Sequence, residues 1–318
     1  ITTYWGHANA IGATEWIDFR VRSDLPASVE TMVAAAHAQG AAFAINHPVL
    51  NLGDQCIGCA WELDVDPARV HAIELQNGAF SITGGLFYMP ALRFWEELLA
   101  TGARVAAIGG SDDHRAGEGT GPFSSPIGSP TTMVYATELS AAAIAEAVRA
   151  GRTVVKLEGP DDPMVELVAG DRMIGDTITE RSAELTARVT GGTGTSLRLL
   201  RNGRVVETFE VDADPFEVTV PVTAPAGDVD DRWRAQLEID GRPRVVTSHI
   251  WVRATGEPAL DGGAADGGTG GASGGCGCRA ARRSAPPWLA VLAVGALLTR
   301  RGGGARRGRA APPPSCRR

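Results

Sequence analysis

Lysine is almost missing from this chain of 318 residues, where Lys156 stands alone beside many arginines. Genome composition produces such an imbalance, and it carries no functional content. Cysteine is also scarce, at five. Cys56 and Cys59 form one C-x-x-C with no second pair, which argues against a closed structural zinc site that needs four ligands. No helix-opening pattern follows to lower a thiol pKa, which disfavours a redox motif. Two readings stay open for Cys56 and Cys59: a loop disulfide formed in an oxidising compartment, or a weak zinc contact. Acid is absent from Cys276 onward, where ten arginines gather, so the preceding residues carry a net charge of −17. An acidic body repels phosphates and excludes nucleic acid as its partner. The longest apolar stretch of the tail, Trp288–Leu298, is 11 residues, short of the ~20 that span a bilayer. Methionine is absent from position 1, and Ile1 runs at once into strand-like sequence. The chain therefore reads as a fragment.

What is present has a clear rhythm. Ala42–Ile45, Ala72–Leu75 and Val105–Ile108 are apolar runs of strand length. Helices are expected at Ser28–Gln39, at Ala91–Ala100 opened by Pro90, and at Ser140–Ala150. Alternation of this kind predicts an α/β fold with a parallel sheet or barrel. After Gly159 the pattern changes to short strands at Met164–Val168, Ala183–Val189, Leu197–Arg201, Val205–Val211, Phe216–Val222, Trp233–Ile239 and Val245–Val252. Turn signals separate them, Asn202-Gly203 being the best hairpin. An antiparallel β-sandwich is expected there. The resulting domains are 1–158, a sandwich at 159–255, a Gly-rich linker at 256–275 and a tail at 276–318.

Chemistry-bearing residues gather where strands end. Gly6-His7 follows Thr2–Trp5, His47 follows Ala42–Asn46, and Asp112 and His114 follow Val105–Ile108. Strand ends of an α/β barrel meet on one face, so these residues would converge. The spacing of Asp112 and His114 points both side chains the same way in extended chain. Imidazole with carboxylate suits zinc, manganese or iron. His71 and His249 read as hydrogen-bonded structural histidines, and His37 as a surface or interhelix residue.

Gly6-His7-Ala-Asn9-Ala-Ile-Gly12, Asn46-His47-Pro48, Ile73-Glu74-Leu-Gln-Asn77-Gly78 and Ser111-Asp112-Asp113-His114 resemble the later motifs of PHP (polymerase and histidinol phosphatase) metallohydrolases. The carbaryl-hydrolase-like branch, whose members carry a β-rich domain after the PHP domain, looks most similar. The resemblance covers about residues 1–255. It implies the C-terminal part of a distorted (β/α)7 barrel followed by the sandwich. It also implies two or three divalent ions (Zn, Mn or Fe) that support hydrolysis of phosphoester, ester, amide or carbamate bonds. His7, His47, Asp112 and His114 would be metal ligands, with Asp112 and His114 catalytic. Glu74 and Asn77 would support the strand end or touch substrate, a structural role being open to both, and Arg115 would meet an anionic substrate. The family's opening His-x-His, a following acidic and histidine motif and a glutamate would all lie upstream of Ile1. The piece alone is accordingly expected to bind metal weakly and to hydrolyse nothing.

In the tail, Cys276 and Cys278, the apolar run and the arginine cluster resemble the MYXO-CTERM sorting signal of myxobacterial surface proteins. That resemblance implies an exported protein at the cell surface or outer membrane, processed near Cys276 and Cys278. Membrane association would come through the tail, with the arginines holding the cytoplasmic end, and sorting or processing machinery would be a partner. The leading expectation is a surface-displayed metallohydrolase acting on a small ester or phosphoester. The alternative is a non-catalytic surface binding protein built on a degenerate barrel.

Overall fold

A computed structural model of the chain describes residues 1–20, 28–51, 53, 56–118 and 125–256. All of the described residues fall within one compact unit, Ile1–Gly262. Cys276, Cys278 and the apolar run lie outside the described residues. Among the described residues, no helix is long and apolar enough to cross a membrane.

The first part of the chain carries β1 (Thr2–Thr3), β2 (Gly6–Ile11), α1 (Val29–Ala38), β3 (Ala42–Ile45), β4 (Ala72–Asn77), α2 (Phe80–Ala100) and β5 (Ala106–Gly110). Then come β6 (Thr131–Val134), α3 (Ala141–Arg149) and β7 (Thr153–Lys156). The rest is strand: β8 (Met164–Ala169), β9 (Arg172–Met173), β10 (Thr177–Ile178), β11 (Ser182–Thr190), β12 (Ser196–Arg201), β13 (Arg204–Glu210), β14 (Phe216–Thr223), β15 (Asp231–Ile239), β16 (Arg242–Thr247) and β17 (Ile250–Val252).

Local sequence accounts for the helix boundaries. The Ser28 hydroxyl caps α1 by accepting from Thr31 N, and Ser140 caps α3 through Ala143 N. Each satisfies a backbone donor that the first turn leaves free. α2 departs from expectation because it starts at Phe80 rather than Pro90. It breaks at Gly84 (φ 42) and continues through Pro90. The bond lost at Pro90 would have gone to the carbonyl of Leu86, a residue 85% exposed, so water can replace it.

The expected α/β barrel is not there. No (β/α)7 barrel is present among the described residues, and strand outweighs helix. The five strands β1 to β5 form one open sheet in sequence order. β3, β4 and β5 are parallel, but β2 runs antiparallel to β3, with Ala8 opposite Ile45. The sheet stops at β5, because β6 and β7 pair antiparallel with each other, and β7 pairs antiparallel with β16. β5 reaches them through side chains instead: Thr132 Oγ1 bonds Gly109, and Thr153 Oγ1 donates to the Ala107 carbonyl. A division at residue 158 would therefore cut through a sheet.

That second sheet has eight strands, ordered β10-β17-β15-β16-β7-β6, with β12 joined to β15 and β13 to β12. Asn202 and Gly203 connect β12 to β13 with positive φ at both residues, as a primed hairpin turn requires. A third, antiparallel sheet is ordered β14-β11-β8-β9. Leu167, Leu185, Val189 and Val222 of that sheet share one core with Leu197, Leu199, Ala235 and Leu237 of the large one. Strand alternation gives β15 a second buried face. There Arg234, Gln236 and Glu238 are buried beneath α2, where Tyr88 Oη donates to Gln236 Oε1 at 3.1 Å.

Candidate functional site

The C-terminal ends of β3, β4 and β5 lie side by side. Because β2 is antiparallel to β3, its first residues arrive at that same edge. His7 therefore reaches the site from the start of a strand rather than from the end of one. Its ring meets that of His47 edge to face, with centroids 5.1 Å apart. His47 is buried and adopts φ 29. That is an unusual conformation for a non-glycine residue before Pro48, and strain of this kind persists where the surroundings enforce it.

Two hydrogen bonds enforce it here. The His47 N–H donates to Glu74 Oε2 at 2.7 Å, and its Nδ1 donates to the Cys59 carbonyl at 2.9 Å. With Nδ1 carrying the proton, the lone pair of His47 sits on Nε2, the atom a metal would take. Nε2 of His7 is buried without a partner. Burial lowers the His7 pKa, and His47 lowers it further, while Asp112 and a hydrogen bond to the Ile57 carbonyl pull it up. Neutral imidazole is the form that binds metal.

Glu74, which accepts the His47 backbone N–H, is buried beside that histidine. A bulge in the β4–β5 ladder falls between Glu74 and Gln76. It resets the alternation, so that Asn77, three residues on, shares the face of Glu74. Asn77 Nδ2 donates to Glu74 Oε2 at 3.3 Å. Burial raises the Glu74 pKa to about 8 against the pull of these two donors, and Asp112 adds to the rise. Gly110 leaves it space, since a Cβ there would lie 2.6 Å from Glu74 Oε1.

Asp112 and His114 follow β5 at the same edge. Asp112 is left-handed (φ 52), so the pair does not sit on extended chain. His114 Nε2 stands 3.8 Å from Asp112 Oδ1, with side chains 83% and 39% exposed. Arg115 is exposed, and its backbone N–H donates to Asp113 Oδ1 at 3.0 Å. The tight group among the described residues is His7, His47 and Cys59, whose ligand atoms lie within 4.8 Å of one another. Asp112 and His114 stand outside it.

Cys59 was not legible as a neighbour of the histidines. The loop that carries it folds back beneath β1, and Trp61 N donates to the Pro48 carbonyl at 2.8 Å. Cys56 and Cys59 are joined by a disulfide, with Cα atoms 5.5 Å apart. The Cys59 sulfur therefore offers no thiolate as it stands. One short loop thus supplies both carbonyls, Ile57 and Cys59, that hold the two imidazoles.

Gly58 lets this loop approach, because a Cβ there would fall 2.1 Å from the Thr3 carbonyl at φ 75. Gly58→Ala is expected to push the loop off β1. Divalent-ion affinity should fall roughly 10–100-fold, as when a ligand loses its orienting partner. Calorimetric titration would check this, and unchanged affinity would show that the loop does not orient the histidines.

The remaining histidines lie elsewhere. His37 and His71 stack at 4.5 Å where β4 begins, and His71 Nδ1 accepts from Phe43 N. His249 is buried between Trp95, at 4.8 Å, and Trp251, at 5.9 Å.

No family model matches the chain, and no curated protein matches it. Several solved structures are weakly similar, three of them as follows. A CARDB domain from Pyrococcus furiosus shares 20% identity over 30% of this chain and 96% of its own, with a TM-score of 0.22. The sensor domain of the anti-sigma factor RsgI4 from Pseudobacteroides cellulosolvens shares 14% over 29% and 94%, at 0.22. An engineered protein shares 14% over 57% and 40%, at 0.21. Scores this low carry no argument about fold or chemistry.

Proposed function

We propose that the His7–His47 edge is a divalent-metal site and that the protein is a metal-dependent hydrolase of small esters or phosphoesters. The observation that carries this is the edge-to-face pair of imidazoles, with His7 Nε2 buried without a partner and His47 Nδ1 tied to the Cys59 carbonyl, beside the buried carboxylate of Glu74 on the His47 backbone. The donor set fits zinc, manganese or iron. His7 and His47 would hold the ion, with Asp112 as the carboxylate at the rim and His114 able to swing in from solvent. A bound ion supplies Lewis acidity and lowers the pKa of its water toward neutrality. The chain's own part is orientation: the Cys59 and Ile57 carbonyls fix the rings, and Glu74 fixes the His47 backbone. Asp112, partly exposed beside the rings, would accept a proton from an attacking water. Arg115, free in solvent, could meet an anionic group of the substrate. The disulfide agrees with an exported protein, and surface display through the tail belongs to the same proposal.

The test is zinc and manganese titration of the full chain beside His47→Ala, together with hydrolysis of aryl phosphoesters and carboxylic esters with and without chelator. Loss of His47 is expected to weaken binding on the order of 100-fold or more. Unchanged binding in His47→Ala would remove the site from this edge. Hydrolysis that survives in metal-free protein would sink the mechanism. Metal binding without hydrolysis would leave the surface-binding alternative.

A further inference from the structure

The metal site described above uses nitrogen and oxygen, yet the atom that completes its tightest triad is sulfur. Cys59 Sγ lies within 4.8 Å of ligand atoms of both His7 and His47. Its side chain is buried, at 3% exposure, whereas Cys56 is partly open. We propose that the Cys56–Cys59 disulfide sets the metal preference of the site, and that reduction turns it into a His7–His47–Cys59 centre for a soft ion such as zinc. This rests on the reading of His7 and His47 as ligands.

The chemistry balances with a dithiol as reductant. A thiolate of the dithiol attacks the accessible Cys56 Sγ, and Cys59 leaves as a thiolate. The second thiol of the reductant then resolves the mixed disulfide, releasing Cys56 as a thiol and the reductant as its own disulfide. Two electrons pass from the dithiol to the cysteine pair. The Cys59 thiolate binds the ion directly, and the proton it would otherwise have taken stays in solvent. Thiolate beside two imidazoles selects zinc over manganese, because sulfur is the softer donor. With the disulfide intact that sulfur has no charge to offer, and carboxylate and imidazole ligands favour harder ions.

The loop geometry fits the switch. The Cys59 carbonyl already holds His47 Nδ1, and Gly58 is seated against Thr3. The sulfur is thus kept close to the rings whichever oxidation state it has.

Cobalt titration of the full chain tests this, because a thiolate ligand adds an intense near-ultraviolet charge-transfer band. Oxidised protein is expected to bind cobalt without that band. Protein reduced with a water-soluble phosphine, then freed of it, is expected to show the band and to bind zinc at least about tenfold tighter. Cys56→Ser frees Cys59 permanently and should show the band without a reductant, while Cys59→Ser should not. Cys276, Cys278 and Cys316 are present in both variants, so the difference between them reads a free Cys59 against a free Cys56. Cobalt bound by Cys56→Ser without the band would overturn the switch and leave the nitrogen–oxygen site standing. No cobalt binding by any form would overturn both.

Discussion

Replacing Glu74 by glutamine is expected to stabilise the metal-free protein by about 2–4 kcal/mol at pH 8 and to change little at pH 4. The folded pKa of Glu74 is raised from 4.5 to about 8, chiefly by burial. Between those values the folded chain keeps a proton that the unfolded chain releases, so stability falls as pH rises through this window. Glutamine retains an acceptor for the His47 N–H and has no proton to lose. Urea unfolding with chelator at the two pH values measures the difference, and an equal gain at both would refute the assignment. A bound ion reverses the sign, since a nearby cation favours the carboxylate. In the presence of zinc, Glu74→Gln should weaken binding and lose its stability advantage. A variant that gains in metal-free protein and loses in loaded protein would tie Glu74 to the ion's field.

Arg234→Ala is expected to lower stability by about 3 kcal/mol or more, whereas Arg234→Met should stay within about 1 kcal/mol of the parent. Arg234 is 2% exposed. Its Nη1 donates to Gln236 Oε1 at 2.9 Å, and its Nη2 lies 3.7 Å from Glu96 Oε1. The guanidinium also lies 5.8 Å from the centre of the Trp95 ring. Gln236 passes the network to Glu238 at 2.6 Å, and Arg198 closes it at 2.8 Å. Both variants remove the guanidinium, but Tyr88 still donates to Gln236 and Arg232 to Glu96, so the difference between them is the cavity that alanine leaves and methionine fills. A loss of this size corresponds to roughly 6 °C or more in Tm. If both variants lost equally, the ion-pair network itself would be what holds α2 to the sheet. Because α2 begins three residues after Asn77, the alanine variant should also loosen the end of β4 that carries Glu74.

Much of the local structure was legible and the global arrangement was not. Ala42–Ile45 is a strand with the expected limits, helices start at Ser28 and Ser140 where they are expected, and Asn202-Gly203 turns a hairpin. Each depends on chemistry within a few residues. The barrel failed because β-strand periodicity says which residues face a core, not which strand pairs with which. Thr153–Lys156 fits a barrel strand as well as it fits an antiparallel strand between β16 and Thr131–Val134. Val245–Val252, expected as one strand, holds parts of two, broken at its polar middle, Ser248-His249. The convergence of His7 with His47 was foreseen at strand ends, yet His7 comes from the start of an antiparallel strand. Glu74 lay in a quoted motif, but its burial depends on the bulge and on Gly110. Cys59 needed the loop from Pro48 to Trp61 to fold back, which nothing in the C-x-x-C itself announces.

The sheet that takes in both β7 and β16 has a consequence for descent. A gene fragment ending near residue 158 would encode β6 and β7 without the β16 that β7 pairs with, and one beginning there would leave β16 with an open edge. Recombination could not exchange the two halves between unrelated proteins without exposing a hydrogen-bonding edge in each product. The His7–His47 edge and the β-rich half are thus expected to have been inherited together, as one cassette, wherever this arrangement occurs.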